Sequence, residues 1–136
     1  MILIINTADI QQISIGLVKG EKFLATKQLS AKYRQAEKLL PMIDCLLAER
    51  RSDLSKLKAI AVVVGPGPFT ALRVGIVTAN SLAYALGIPL IPVKMASWQD
   101  EKKLMADINS KIKKIKLFKI VKPYYGQEPN ITKKVE

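Results

Sequence analysis

Residues 59–93, AIAVVVGPGPFTALRVGIVTANSLAYALGIPLIPV, restrict the fold more than any other part of this chain. Ala59 to Val64 is an unbroken apolar, β-branched run, the pattern of a strand buried on both faces. A glycine–proline loop follows, then a helical stretch from about Ala71 to Leu86, a stop at Gly87 and a second apolar run from Ile88 to Val93. Strand, helix and strand in that order make a βαβ unit, so the two strands are expected to be parallel with a right-handed crossover.

The segments before it are legible in the same way. Ile2 to Ile5 reads as a buried strand that ends in the turn Asn6-Thr7-Ala8-Asp9. Gln12 to Lys19 alternates Ile13, Ile15 and Leu17 with Ser14, Gly16 and Val18. Gly20-Glu21 is then a two-residue hairpin turn into Lys22 to Ser30. Three antiparallel strands are therefore expected to open the chain. In YRQAEKLLPMIDCLLAERR, Ala36, Leu40, Ile43 and Leu47 are expected to share one helical face, widened by Leu39, Met42 and Leu46. Pro41 deletes one helical hydrogen bond and bends the axis, which predicts a first turn ahead of it and a longer part behind it. Ser52 to Lys58 is a polar connector. After Val93 the pattern weakens: Met95 to Asn109 is expected to be a helix with Trp98, Met105 and Ile108 inward. Ile115 to Val121 is a candidate strand, and Pro123 to Thr132 a turn-rich tail.

Composition narrows the chemistry. The chain carries 22 Lys and Arg against 11 Asp and Glu, and no histidine. The commonest general base and the commonest zinc ligand are both missing. Cys45, the single cysteine, rules out an intrachain disulfide and agrees with a reducing cytosol. No basic segment and long apolar run begin at Met1, and the wholly apolar stretches fall short of the ~20 residues of a membrane span, so a cytoplasmic protein is expected. From Glu101 onward ten lysines face four carboxylates. Such a basic tail suits a polyanion, with Lys111, Lys113, Lys114 and Lys116 as candidate RNA contacts, although lysine runs also simply keep proteins soluble.

The glycine loop invites comparison with a phosphate cradle. Thr70 is expected as N-cap of the following helix, with Phe69 stapled onto Val74. Gly65 and Gly67 are too close together for a P-loop, however, and no lysine follows them. Gly65, Gly67, Thr70 and Arg73 are accordingly the only candidates for a nucleotide contact. The helix itself is apolar on nearly every side, with Ala71, Gly75, Ala79 and Ala83 at four-residue spacing. One sheet covers only one side of such a helix, so the remainder calls for the first helix, a partner, or both.

Three segments resemble the TsaB (YeaZ) family. VVVGPGPFTALRVGIVTANSLAYALGIPLIPV is similar to its GPGSFTGLRIG signature and the alanine-rich helix after it. AEKLLPMIDCLLAE resembles its H-S-E-x-LLP-x-I helix, and ILIINTADIQQISIGLVKG its opening ILaIDTS hairpin. The resemblance spans residues 1–97 and implies an actin-like ATPase fold of the ribonuclease H type, with a mixed sheet. It implies a first lobe over 1–97 and, over 98–136, a strongly shortened second-lobe remnant with a basic tail. VKPYYGQEPNIT resembles the family's closing P-x-Y-x-R-x-P-x-x-T.

By the same resemblance the chain is a non-catalytic scaffold in threonylcarbamoyladenosine synthesis on tRNA. It would pair with the catalytic homologue TsaD through its first two helices, with the ATPase TsaE joining and tRNA reached indirectly or through the tail. The expected interface is Leu39, Met42, Ile43, Leu46, Ala71, Leu72, Gly75, Ile76, Ala79, Asn80 and Ala83. A homodimer through the same helices competes with it. No cofactor is expected, although a nucleotide shared with the partner is left open. Asn6 stands where the family has Asp, Pro68 where it has Ser, Ala71 where it has Gly and Gln35 where it has His. Asn6 removes the carboxylate that a working ATPase would use to organise magnesium and water. The alternatives are an accessory tRNA-binding protein and a peptidase-like enzyme; the latter would need zinc ligands or a nucleophile–base pair.

Overall fold

The computed structural model describes residues 1–115 and 119–122. A five-stranded mixed sheet in the order β3-β2-β1-β4-β5 forms its centre. The strands are β1 (Ile2–Asn6), β2 (Gln12–Lys19), β3 (Lys22–Ser30), β4 (Ala59–Gly65) and β5 (Leu90–Lys94). β1, β2 and β3 are antiparallel neighbours, with Ile5 opposite Ile15 and Ile15 opposite Lys27. β4 runs parallel to both β1 and β5. The hairpin and the βαβ unit thus stand as the sequence predicts.

The helices are α1 (Gln35–Glu49), α2 (Phe69–Leu86), α3 (Met95–Trp98) and α4 (Glu101–Lys114), with a 3-10 turn at Leu54–Lys56. β1 and β4 are buried along their whole length, which a sheet achieves only when both faces are covered. The pair α1/α2 covers one face and the pair α3/α4 the other. α2 ends where Gly87 turns into the left-handed conformation, φ 68°, the usual helix stop.

Pro41 lies inside the continuous helix α1, with the longer part behind it. Several expectations need correction. Ala36 and Leu40 are exposed, because the inward face of α1 runs through Leu39, Met42, Ile43, Leu46 and Leu47. The register is fixed at its start by Gln35, whose side-chain amide donates to the Ile10 carbonyl at 3.0 Å. The long helix expected after Val93 is two, because Asp100 caps α4 by accepting from the N–H groups of Lys102 and Lys103. Neither Ile115 nor residues 119–121 is in a strand. Leu104, Met105 and Ile108 of α4, together with Val121, join the same core as β1, β4 and α2. The boundary drawn at residue 97 therefore falls inside one continuous core. α2, at 18 residues, is long and apolar enough to cross a membrane by length and composition alone, although Arg73, Asn80 and other polar residues interrupt it. Its Ala71, Leu72, Gly75, Ile76, Ala79 and Ala83 are nevertheless buried within the chain.

Both sheet edges carry lysine contacts. At β5, Lys111 Nζ donates to the Pro92 carbonyl at 2.7 Å and to Asp107 Oδ2 at 3.2 Å. At β3, Lys27 Nζ pairs with Glu49 Oε2 of α1 at 2.7 Å. That bond, followed by a weaker one from Cys45, holds the Glu49 carboxyl below its ordinary range. A depressed folded pKa means that the contribution is present above the ordinary carboxylate range and disappears as pH falls through the folded value. Lys27→Ala is expected to let Glu49 titrate at higher pH, seen as an upward-shifted side-chain carboxyl transition by NMR. An unchanged Glu49 titration would show that the pair does not persist in solution.

Candidate functional site

The end of β1 meets the start of α2, and two side chains fix how. Thr7 is buried; its hydroxyl donates to the Ala71 carbonyl at 2.7 Å and accepts the Gly75 N–H at 3.1 Å. A Cβ added at Gly75 would meet the Thr7 side chain, with Cγ2 at 3.0 Å and the hydroxyl oxygen nearer still. Glycine is what allows the helix to come this close to the sheet. Beside it, Asn6 Oδ1 accepts the Ala8 N–H at 2.8 Å, an Asx turn, and Asn6 Nδ2 points to Met95 Sδ at 3.8 Å. The position that would carry a metal-organising carboxylate is thus a neutral amide spent on holding its own loop.

The four nucleotide candidates separate. Gly65 adopts φ 124°, a conformation that side chains rarely take, and Gly67 lies against Ala8, whose carbonyl oxygen a Cβ would meet at 2.8 Å. Both shape the loop against the β1 turn. Thr70 is not the cap: α2 begins at Phe69 after Pro68, with no side-chain cap bond, which places Thr70 in the first turn. Arg73 lies over the Phe69 ring at 5.0 Å, so Phe69 covers a guanidinium as well as lining a cleft. Among the described residues no group of three acidic, cysteine or histidine side chains is placed to hold a metal.

The expected interface residues are mostly interior. Leu39, Met42, Ile43, Leu46, Ala71, Leu72, Ile76, Ala79 and Ala83 are no more than 4% exposed, and Gly75 is buried against Thr7. They build the seam between α1, α2 and the sheet and have no surface left for a second molecule. The four-residue row of small side chains marks where α2 approaches its own sheet. Asn80 is half-buried and engaged: its Nδ2 donates to the carbonyls of Ile76 at 2.9 Å and Val121 at 3.0 Å, and its Oδ1 accepts the Val121 N–H at 2.9 Å. Of the candidate RNA contacts, Lys111 is tied to Pro92 and Asp107, Lys113 and Lys114 are exposed, and Lys116 lies outside the described residues, as do Phe118, Tyr124 and Tyr125.

What α2 does expose is a different stripe. Phe69 (54%), Val77 (59%) and Tyr84 (73%) are the most exposed large apolar side chains of this helix, and Leu40 (49%) adds one from α1. Between the two helices runs an open cleft of about 440 Å³, lined by Ala36, Phe69, Thr70, Arg73, Val74 and Val77 among others. A second cleft of about 450 Å³ continues it toward Ile10, Tyr33 and Gln35. Exposed aromatics and aliphatics next to a shallow groove are what a helix-docking surface requires. Sequence reasoning missed this stripe, the Thr7 bridge and the Asn80 clasp.

The family model described as TsaD: tRNA N6-adenosine threonylcarbamoyltransferase matches residues 28–111. The tRNA threonylcarbamoyladenosine biosynthesis protein TsaB of Haemophilus influenzae is 38% identical over 77 residues, covering 57% of this chain and 32% of that protein. The protein of the same name from Buchnera aphidicola subsp. Schizaphis graminum is 32% identical over 120 residues, covering 82% of this chain and 56% of that protein. Among solved structures, YeaZ from Pseudomonas aeruginosa is similar with a TM-score of 0.63 and 33% identity, over 68% of this chain and 43% of that one. The chain spans 32% and 56% of the two curated relatives.

Proposed function

We propose that this chain, which belongs to the TsaD family and whose relatives there are TsaB and YeaZ proteins, is a non-catalytic accessory subunit in the synthesis of threonylcarbamoyladenosine on tRNA. Its strand order and helix pairs are those of the actin-like, ribonuclease H-type fold. One observation carries the reading: α2 holds an outward apolar stripe beside the α1 cleft, although its other side is already packed. A TsaD-like subunit is the proposed occupant. A stable contact needs ~800 Å² from each side, more than the stripe alone offers, so the cleft and the exposed side of α1 belong to the same face. Asn6 agrees with a silent role, because an amide committed to the Ala8 N–H organises no magnesium.

Val77→Arg is expected to leave the fold intact and to abolish co-elution with the TsaD homologue of the same source on a sizing column. A complex that survives this change would remove α2 from the interface. Pairing of two copies through the same stripe competes with the heterodimer, and a TsaE-like ATPase would join at another surface. Cytoplasmic residence follows from this role. A second, accessory reading is direct tRNA contact by Lys113 and Lys114, both exposed on the last turn of α4, which would weaken steeply with salt.

A further inference from the structure

Val121 is held on α2 by Asn80, which lies between Val77 and Tyr84 along the helix. Val77, Asn80 and Tyr84 stand at i, i+3 and i+7, on one side of the helix. Asn80 grips the backbone of Val121 with both ends of its amide, at 3.0 and 2.9 Å, and anchors its own Nδ2 on the Ile76 carbonyl. Val121 is buried, whereas Ile120 beside it is 72% exposed. A side-chain amide that takes both the N–H and the C=O of one residue holds an extended segment without reading its side chains, as a neighbouring strand would.

Among the described residues of α2 and of 119–122, the charges have one sign. α2 contains no Asp or Glu, and its single charged residue is Arg73. Lys119 and Lys122 are exposed at either end of the gripped segment. Ile120 thus adds an exposed apolar side chain, and Lys119 and Lys122 two exposed cations, to a segment held on α2 at Asn80.

We infer that residues 119–122 form a strap that Asn80 fixes against α2, and that this strap is part of the docking surface. Its occupant is a helical partner face with an apolar centre and carboxylates along its border. The inference rests on the docking reading and adds to it the partner's charge and a third structural member. Ile120 enlarges the apolar contact, and Lys119 and Lys122 supply the rim charges that steer and align a complementary surface.

The test uses the full chain and the TsaD homologue of the same source, titrated by calorimetry at low and high salt. Lys119→Glu with Lys122→Glu, both on exposed side chains, is expected to weaken the complex at least about tenfold at low salt. The loss should narrow at high salt, and Ile120→Ser should weaken it at both. Asn80→Leu, which removes the grip, should reproduce the loss with a circular dichroism spectrum like that of the unmodified chain. An unmodified chain that fails to bind overturns the docking reading and the strap with it. Binding that depends on Val77 yet ignores the lysine and Ile120 changes overturns the strap alone. So does a loss confined to tRNA titration, which would make the cations a polyanion contact instead.

Discussion

Ile76→Arg is expected to abolish the cooperative fold of this chain, whereas Val77→Arg, one residue further on, leaves it standing. Ile76 is 3% exposed and packed in the seam between α2 and the sheet. Removing a buried isoleucine side chain costs about 2–5 kcal/mol. Placing an unpaired guanidinium there costs several kcal/mol more. Against a total stability of about 5–15 kcal/mol for a domain, little or nothing remains. Val77, at 59% exposure, sits on the solvent side, where substitutions usually stay within about 0.5 kcal/mol. Thermal melts followed by circular dichroism separate the two: no cooperative transition for Ile76→Arg, a near-normal one for Val77→Arg. A folded Ile76→Arg chain that merely loses its partner would return the interface to the inner row of α2 and contradict the packing described above.

Gly75→Ala is expected to destabilise the chain by about 1–3 kcal/mol, the range for an added methyl in a full site. The opposing gain from replacing glycine inside a helix is at most about 1 kcal/mol, so the sign depends on whether Thr7 can move. Thr7 is tied at two points, to the Ala71 carbonyl and the Gly75 N–H. A new methyl must therefore break one of those bonds or push α2 off the sheet. Thr7→Ala alone should also destabilise, through loss of the bond to Ala71. The double variant should be more stable than the sum of the two losses by about 1 kcal/mol or more, because the second methyl then fills the space the first vacated. Strict additivity in urea unfolding would mean that the two residues do not touch.

The strands could be read from the sequence because their signals are local. Alternation in Gln12–Lys19 and the Gly20-Glu21 turn place β2 and β3 to the residue. The run from Ala59 is buried on both faces and has the composition such burial demands. The faces of the helices were harder. An all-apolar helix such as α2 gives periodicity no contrast, and small side chains at four-residue spacing mark a close approach without naming the approaching party. Here the near neighbour is Thr7, 68 residues earlier than Gly75. The clasp between Asn80 and Val121 spans 41 residues, and nothing near either residue announces the other. The division between α3 and α4 has a local signal: Asp100 ahead of Glu101-Lys102-Lys103 is an ordinary cap-and-first-turn pattern. Leu40 faces outward while Gln35, a polar residue, is drawn inward to the Ile10 carbonyl, an arrangement that apolar periodicity does not announce.

The arrangement at Pro92 has a consequence for how copies of this protein meet one another. The outermost strand on that side lacks an N–H at its middle residue, and the ammonium of Lys111 occupies the carbonyl of the same residue. A ladder from another molecule would have to begin opposite a missing donor and displace a charged group. Among the described residues that flank therefore ends the sheet, and a neighbouring molecule meets a barrier to extending it there.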